Sequence, residues 1–132
     1  MERLIYKSTA APGVGTREVF DIVETSTERN PPRQITGFLL HDDDRFFQLI
    51  EGPAVDIANL LDELRADSRH REIAILQRVE TTERLFADWG MKKLISFTGE
   101  PAMSEIKRTV DGKDGAETIV QLVSEFLNIS VA

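Results

Sequence analysis

At 132 residues, 41% of them hydrophobic, the chain has material for one compact domain built on one core. It carries no cysteine, which excludes disulfides and thiolate chemistry, and its two histidines, far apart in sequence, argue against a zinc site. A formal net charge of −7 argues against general nucleic-acid binding; with no membrane-length apolar run and no signal-peptide pattern at Met1-Glu2-Arg3, a cytoplasmic location is expected.

The chain opens on a short strand, Leu4-Ile5-Tyr6-Lys7-Ser8, whose alternation puts Tyr6, the only tyrosine, on one face with Leu4. Taken alone, Tyr6 reads equally well as a core aromatic with its hydroxyl at the rim. After a loop through Pro12, Gly13 and Gly15, Thr16 is a good N-cap for a helix with Val19, Ile22, Val23 and Ser26 at helical spacing. That helix has to end at Asn30, because Pro31 and Pro32 push their predecessors out of the right-handed helical region. Asn30 then serves as a capping residue or offers its carboxamide to whatever lies beside the helix.

The stretch from Gln34 to Pro53 reads as a hairpin. Ile35, Leu39 and Leu40 carry one strand, His41-Asp42-Asp43-Asp44 the turn, and Phe46, Phe47, Leu49 and Ile50 the other. Both runs are more continuously apolar than a strand with one wet face requires, so they are expected to be central strands with cover on both sides. Gln48 interrupts the second run, on the face of Phe46 and Ile50. A carboxamide there needs hydrogen-bond partners or costs about 1–3 kcal/mol.

Gly52-Pro53 opens the next helix, with Ile57, Leu60, Leu61 and Leu64 as its buried stripe. A polar connection follows, Asp67-Ser68-Arg69-His70, in which Arg69 and His70 read as solvated. Ile73 to Leu76 form a strand with a polar extension to Arg84, and Leu85 to Met91 lead to a last strand near Leu94 to Phe97. Trp89, the only tryptophan, and Met91 can be plugs for the end of the core. From Gly99 to Gly115 the sequence looks like a polar linker around at most a short helix. Asp114 with Glu117 resembles a capping box for a final helix, residues 116–128, with an apolar stripe of Ile119, Val120, Leu122, Val123, Phe126 and Leu127.

This order of elements predicts an α+β fold, a ferredoxin-like sandwich (βαββαβ plus an extra strand) with a C-terminal helix. The division expected is a domain over residues 1–98 and a linker with a capping helix over 99–132. In such a sandwich the first and third strands form the central pair, so Tyr6 and Gln48 become neighbours under the helices, with Asn30 nearby. The final helix should cover the opposite face of the sheet, in its own chain or a partner's, with self-association there.

On these pieces the chain resembles the BLUF family of blue-light sensors using FAD, over roughly residues 2–97. The pieces are LIYKS with Tyr6, the helix ending at Asn30, ITGFLL, FFQLIEGP with Gln48, ADSRH with Arg69 and His70, and RLFADWGM with Trp89 and Met91. The resemblance implies FAD between the two helices, with Asn30 on the ring's imide edge and Gln48 bridging flavin and Tyr6. It also implies flavin-contacting positions at Ile22, Ser26, Arg29, Arg69 and His70, and a signal relay through Trp89 and Met91. The function implied is light-driven rearrangement of the Tyr6–Gln48–flavin hydrogen bonds, signalled to a separate effector protein without catalytic turnover. Two other readings stay open: a light-independent flavin- or metabolite-binding regulatory module, and a small flavoenzyme. Against the enzyme, no residue near the inferred pocket looks like a poised acid, base or nucleophile.

Overall fold

The computed structural model describes residues 1–11, 35–42, 45–66, 70–87, 89, 92–95 and 100–128. The helix expected over residues 16–30, with Ile22, Ser26, Arg29 and Asn30, lies outside the described residues, as do Arg69 and Met91.

The described elements are β1 (Glu2–Ala10), β2 (Thr36–Asp42), β3 (Arg45–Gly52), α1 (Ala54–Ala66), β4 (His70–Glu80), β5 (Lys92–Ile95), α2 (Glu100–Val110) and α3 (Ala116–Leu127). The strands form one sheet in the order β4-β1-β3-β2-β5, antiparallel except that β5 runs parallel to β2. The expected α+β sandwich is present, with β1 and β3 side by side as its central pair. Register places Tyr6 opposite Gln48, and Arg3 opposite Glu51.

β3 sits in the middle of the sheet, and every residue from Phe46 to Gly52 is buried, which explains its lack of polar alternation. Its alternate side chains feed two cores. On one face Phe46 and Ile50 join Leu4, Tyr6 and Leu39 beneath Ile57, Leu60, Leu61 and Leu64 of α1. Pro53 precedes that helix, Asp56 lies in its first turn and Arg65 in its last, each favourable to the helix dipole. On the other face Phe47 and Leu49 join Ile5, Phe38 and Leu40 beneath α2 and α3.

Gly37 is required where β2 meets β3. Its φ is 148°, and a Cβ there would lie 1.9 Å from the Leu49 carbonyl oxygen.

Several local expectations are corrected. The segment expected to be a linker contains α2, three turns long, because Ala102, Met103, Ile106 and Val110 recur at helical spacing and are buried on the second face. No Asp114 capping box starts α3; its N-cap is Gly115, at φ 84° and without a side-chain cap, in a left-handed conformation that suits glycine. β4 begins at His70 and runs through the polar extension to Glu80, since an edge strand with half-exposed faces accepts polar residues. The last strand is described over Lys92–Ile95, beginning before the expected Leu94. Among the described residues, no helix is long and apolar enough to cross a membrane.

Candidate functional site

Tyr6 and Gln48 meet on the face that α1 covers. The cross-strand pairing of β1 and β3 brings them opposite one another, and the Tyr6 hydroxyl donates a hydrogen bond to Gln48 Oε1. Tyr6 is 2% exposed and Gln48 fully buried, surrounded by Leu4, Leu39, Phe46 and Ile50. Burial pushes the Tyr6 phenol well above its usual range, so it stays protonated in neutral solution.

This bond fixes how the carboxamide lies. With Oε1 turned to Tyr6, Nε2 carries the two donor hydrogens, and it has no hydrogen-bond partner among the described residues. A buried amide left so costs about 1–3 kcal/mol unless a ligand accepts from it. A flavin ring offers acceptors of the right kind, carbonyl oxygen and ring nitrogen, so this donor fits FAD. Of the other expected contacts, His70 lies on β4 with its side chain not described, and Asn30, Ile22, Ser26, Arg29 and Arg69 lie outside the described residues.

Trp89 is on the other side of the sheet from Gln48. Its ring meets Phe86 at 4.9 Å and Phe38 at 5.8 Å between centroids, both edge-on. Phe38 and Phe86 belong to the core under α2 and α3, and Trp89 packs against that core. Its backbone carbonyl accepts a 2.8 Å hydrogen bond from the Gly37 N–H. Trp89 therefore packs on the face of the sheet opposite that of Gln48.

Sequence reasoning missed a second polar group on β3. Glu51 is fully buried on the Trp89 face, and its two carboxylate oxygens accept from the backbone N–H groups of Leu85 (2.9 Å) and Phe86 (2.6 Å). Arg84 bonds Thr36 Oγ1 at 3.0 Å and the Glu51 carbonyl at 2.9 Å. Opposite Glu51, Arg3 is 6% exposed; burial lowers its pKa and the Glu51 charge raises it. The signal was visible in LIEGP, where a charge follows an apolar strand run directly. Among the described residues, no cluster of acidic and histidine side chains could hold a metal ion.

The chain is similar to a known family and to solved structures. Residues 1–92 match the BLUF family, described as sensors of blue-light using FAD. A photoactivated adenylate cyclase subunit beta from Euglena gracilis is 34% identical over 110 residues, which is 80% of this chain and 13% of that protein. The chain thus spans about an eighth of the length of this curated relative. Among solved structures, Klebsiella pneumoniae BlrP1 with FMN and cyclic diGMP aligns with a TM-score of 0.81 and 30% identity, covering 96% of this chain and 35% of that one. BlrB, a BLUF protein in its dark state, aligns with a TM-score of 0.69 and 29% identity, covering 96% of this chain and 95% of that one. The chain belongs to the BLUF family, the sensors of blue light using FAD.

Proposed function

We propose that this chain is a blue-light photoreceptor that holds FAD against Tyr6 and Gln48, and that it passes the signal to a separate partner protein without catalysing a reaction of its own. The observation that carries the reading is the buried Tyr6–Gln48 hydrogen bond with Gln48 Nε2 left as a donor on the same face. The bound flavin supplies light absorption and a ring able to take up an electron. Tyr6 supplies the electron, and its proton can leave along the hydrogen bond to Gln48 Oε1. When both return, the Gln48 carboxamide rests either as before or turned, with Oε1 and Nε2 exchanged. The two orientations offer Tyr6 opposite hydrogen-bonding partners, an acceptor in one and a donor in the other. Gln48 is thus the two-state element that light biases.

Asn30 is assigned to the imide edge of the ring, and Ile22, Ser26, Arg29, Arg69 and His70 to its surroundings. Trp89 and Met91 carry the change onward. The sensor unit spans residues 1–98, and residues 99–132 form the appendage through which the change is felt. The protein acts in the cytoplasm and self-associates through the face that the appendage covers.

Illumination of purified protein without any electron donor tests the reading. The expected outcome is a small, reversible red shift of flavin absorption, absent in Gln48→Leu and Tyr6→Phe. A normal photocycle in Gln48→Leu would overturn the mechanism. A flavin-bound protein that shows no light response would instead be a dark binding module.

A further inference from the structure

Glu51 is a fully buried carboxylate on the strand that carries Gln48. Glu51 is three positions beyond Gln48, about 10 Å along a strand. Alternation turns the two side chains to opposite faces. Gln48 faces α1, whereas Glu51 closes on the Leu85 and Phe86 N–H groups at 2.9 and 2.6 Å.

These bonds belong to a strap. Arg84 reaches Thr36 Oγ1 on β2 and the Glu51 carbonyl on β3, and the Trp89 carbonyl takes the Gly37 N–H of β2. Register puts Thr36 opposite Glu51 and Gly37 opposite Ile50, so every tie lands at one end of the β2–β3 pair. The Trp89 N–H returns to the Phe86 carbonyl at 2.9 Å, which fixes Trp89 to the residue that Glu51 holds. Two backbone donors on one ionised carboxylate are stronger than the same bonds to a neutral acceptor. Trp89 is therefore tied to β2 directly through Gly37 and to β3 by way of Phe86 and Glu51.

We infer that Glu51 is a positioning residue for signalling: its carboxylate clamps the Arg84–Trp89 segment to the Gln48 strand and makes Trp89 respond to the state of Gln48. The inference rests on the photoreceptor reading proposed above. It goes beyond that reading by naming the link between the two faces of the sheet.

Glu51→Gln keeps the shape but offers one acceptor where two N–H groups need it, and turns an amide donor toward the other. Trp89 is the only tryptophan, so fluorotryptophan labelling yields a single fluorine resonance to follow in dark and light. Glu51→Gln is expected to bind flavin and give a red shift of wild-type size. The light-induced change at Trp89 should shrink, and dark recovery should change by about two- to thirtyfold, the span of couplings carried by residues between sites. Glu51→Asp, which keeps the charge, should restore part of the Trp89 response. Thr36→Val removes one of the two Arg84 bonds, leaves the one to the Glu51 carbonyl, and should shrink the Trp89 response less; Glu51→Asp decides the matter if Glu51→Gln does not fold. A Trp89 response of full size in the folded variants overturns the inference, as does a wild-type protein that shifts its flavin spectrum with no change at Trp89. Absence of the red shift in the wild type would instead sink the photoreceptor reading itself.

Discussion

Replacing Phe126 by alanine measures how firmly α3 is seated on the sheet. The side chain is 6% exposed, its ring lies 5.4 Å from that of Phe47, and the Arg45 guanidinium sits 5.0 Å above its centroid. Truncating a buried phenylalanine costs about 3–5 kcal/mol, and loss of an aromatic pair adds to the transfer term. Two features pull the value down. Phe126 is in the last turn of α3, where the helix can relax into the gap, and Arg45 keeps its 3.3 Å hydrogen bond to the Phe126 backbone carbonyl. The expected loss is about 3 kcal/mol, against a total of about 5–15 for a domain of this size. Urea unfolding followed by far-ultraviolet circular dichroism in the dark reads it as a lower midpoint at unchanged slope. Gln121→Ala, on the exposed side of the same helix, should stay within about 0.5 kcal/mol of wild type. A loss below about 1 kcal/mol for Phe126→Ala would mean that α3 does not occupy this face in solution.

Gly115→Ala should destabilise more than Gly112→Ala in thermal melts. Both positions have positive φ, costing about 1 kcal/mol or more for alanine, but only at Gly115 does the new Cβ come within 2.8 Å of Arg3 Nη2. Tyr6 gives a pH signature: because its pKa is raised on folding, its contribution is fully present below the unfolded value near 10 and is lost as pH rises above it, at up to about 1.4 kcal/mol per pH unit. As Tyr6 is the only tyrosine, Tyr6→Phe should flatten the alkaline loss of stability, and an equally steep loss in that variant would contradict the burial. Asn30→Ala should weaken flavin binding by about 1–3 kcal/mol, read by equilibrium titration; unchanged affinity and dark spectrum would return Asn30 to a capping role.

Much of the sheet was legible because β3 is central. A strand buried on both faces shows a nearly unbroken apolar run, and in such a run Gln48 is an anomaly that demands a partner. That Tyr6 is this partner followed once topology placed β1 beside β3. Other features had no such signal. α2 hides in a polar stretch because only Ala102, Met103, Ile106 and Val110 face inward, and the run opens with Glu100-Pro101, which reads as a turn. The left-handed Gly115 takes the N-cap position in place of Asp114, and its close approach to Arg3 is a tertiary contact that local sequence does not show. The side of the sheet taken by Trp89 depends on the Gly37 and Glu51 ties, each a contact between residues far apart in sequence.

A sheet with two covered faces sets a problem for the proposed sensor, since Gln48 faces α1 while Trp89 packs on the opposite core. The side chains that flank Gln48 solve half of it. Phe47 and Leu49 point away from Gln48 into the second core, where Phe47 stacks on Phe38 with rings 13° apart and tilts against Phe126. Phe38 in turn meets Trp89 and Phe86 edge-on. In the mechanism proposed above, a shift of β3 at Gln48 would arrive in an aromatic cluster shared by the Trp89 segment and α3. Packed rings move between discrete arrangements and do not deform smoothly, so a small turn of one carboxamide can select between positions of a whole segment. The clamp inferred at Glu51 would supply the other half, because it ties the backbone at Leu85 and Phe86 to the same strand.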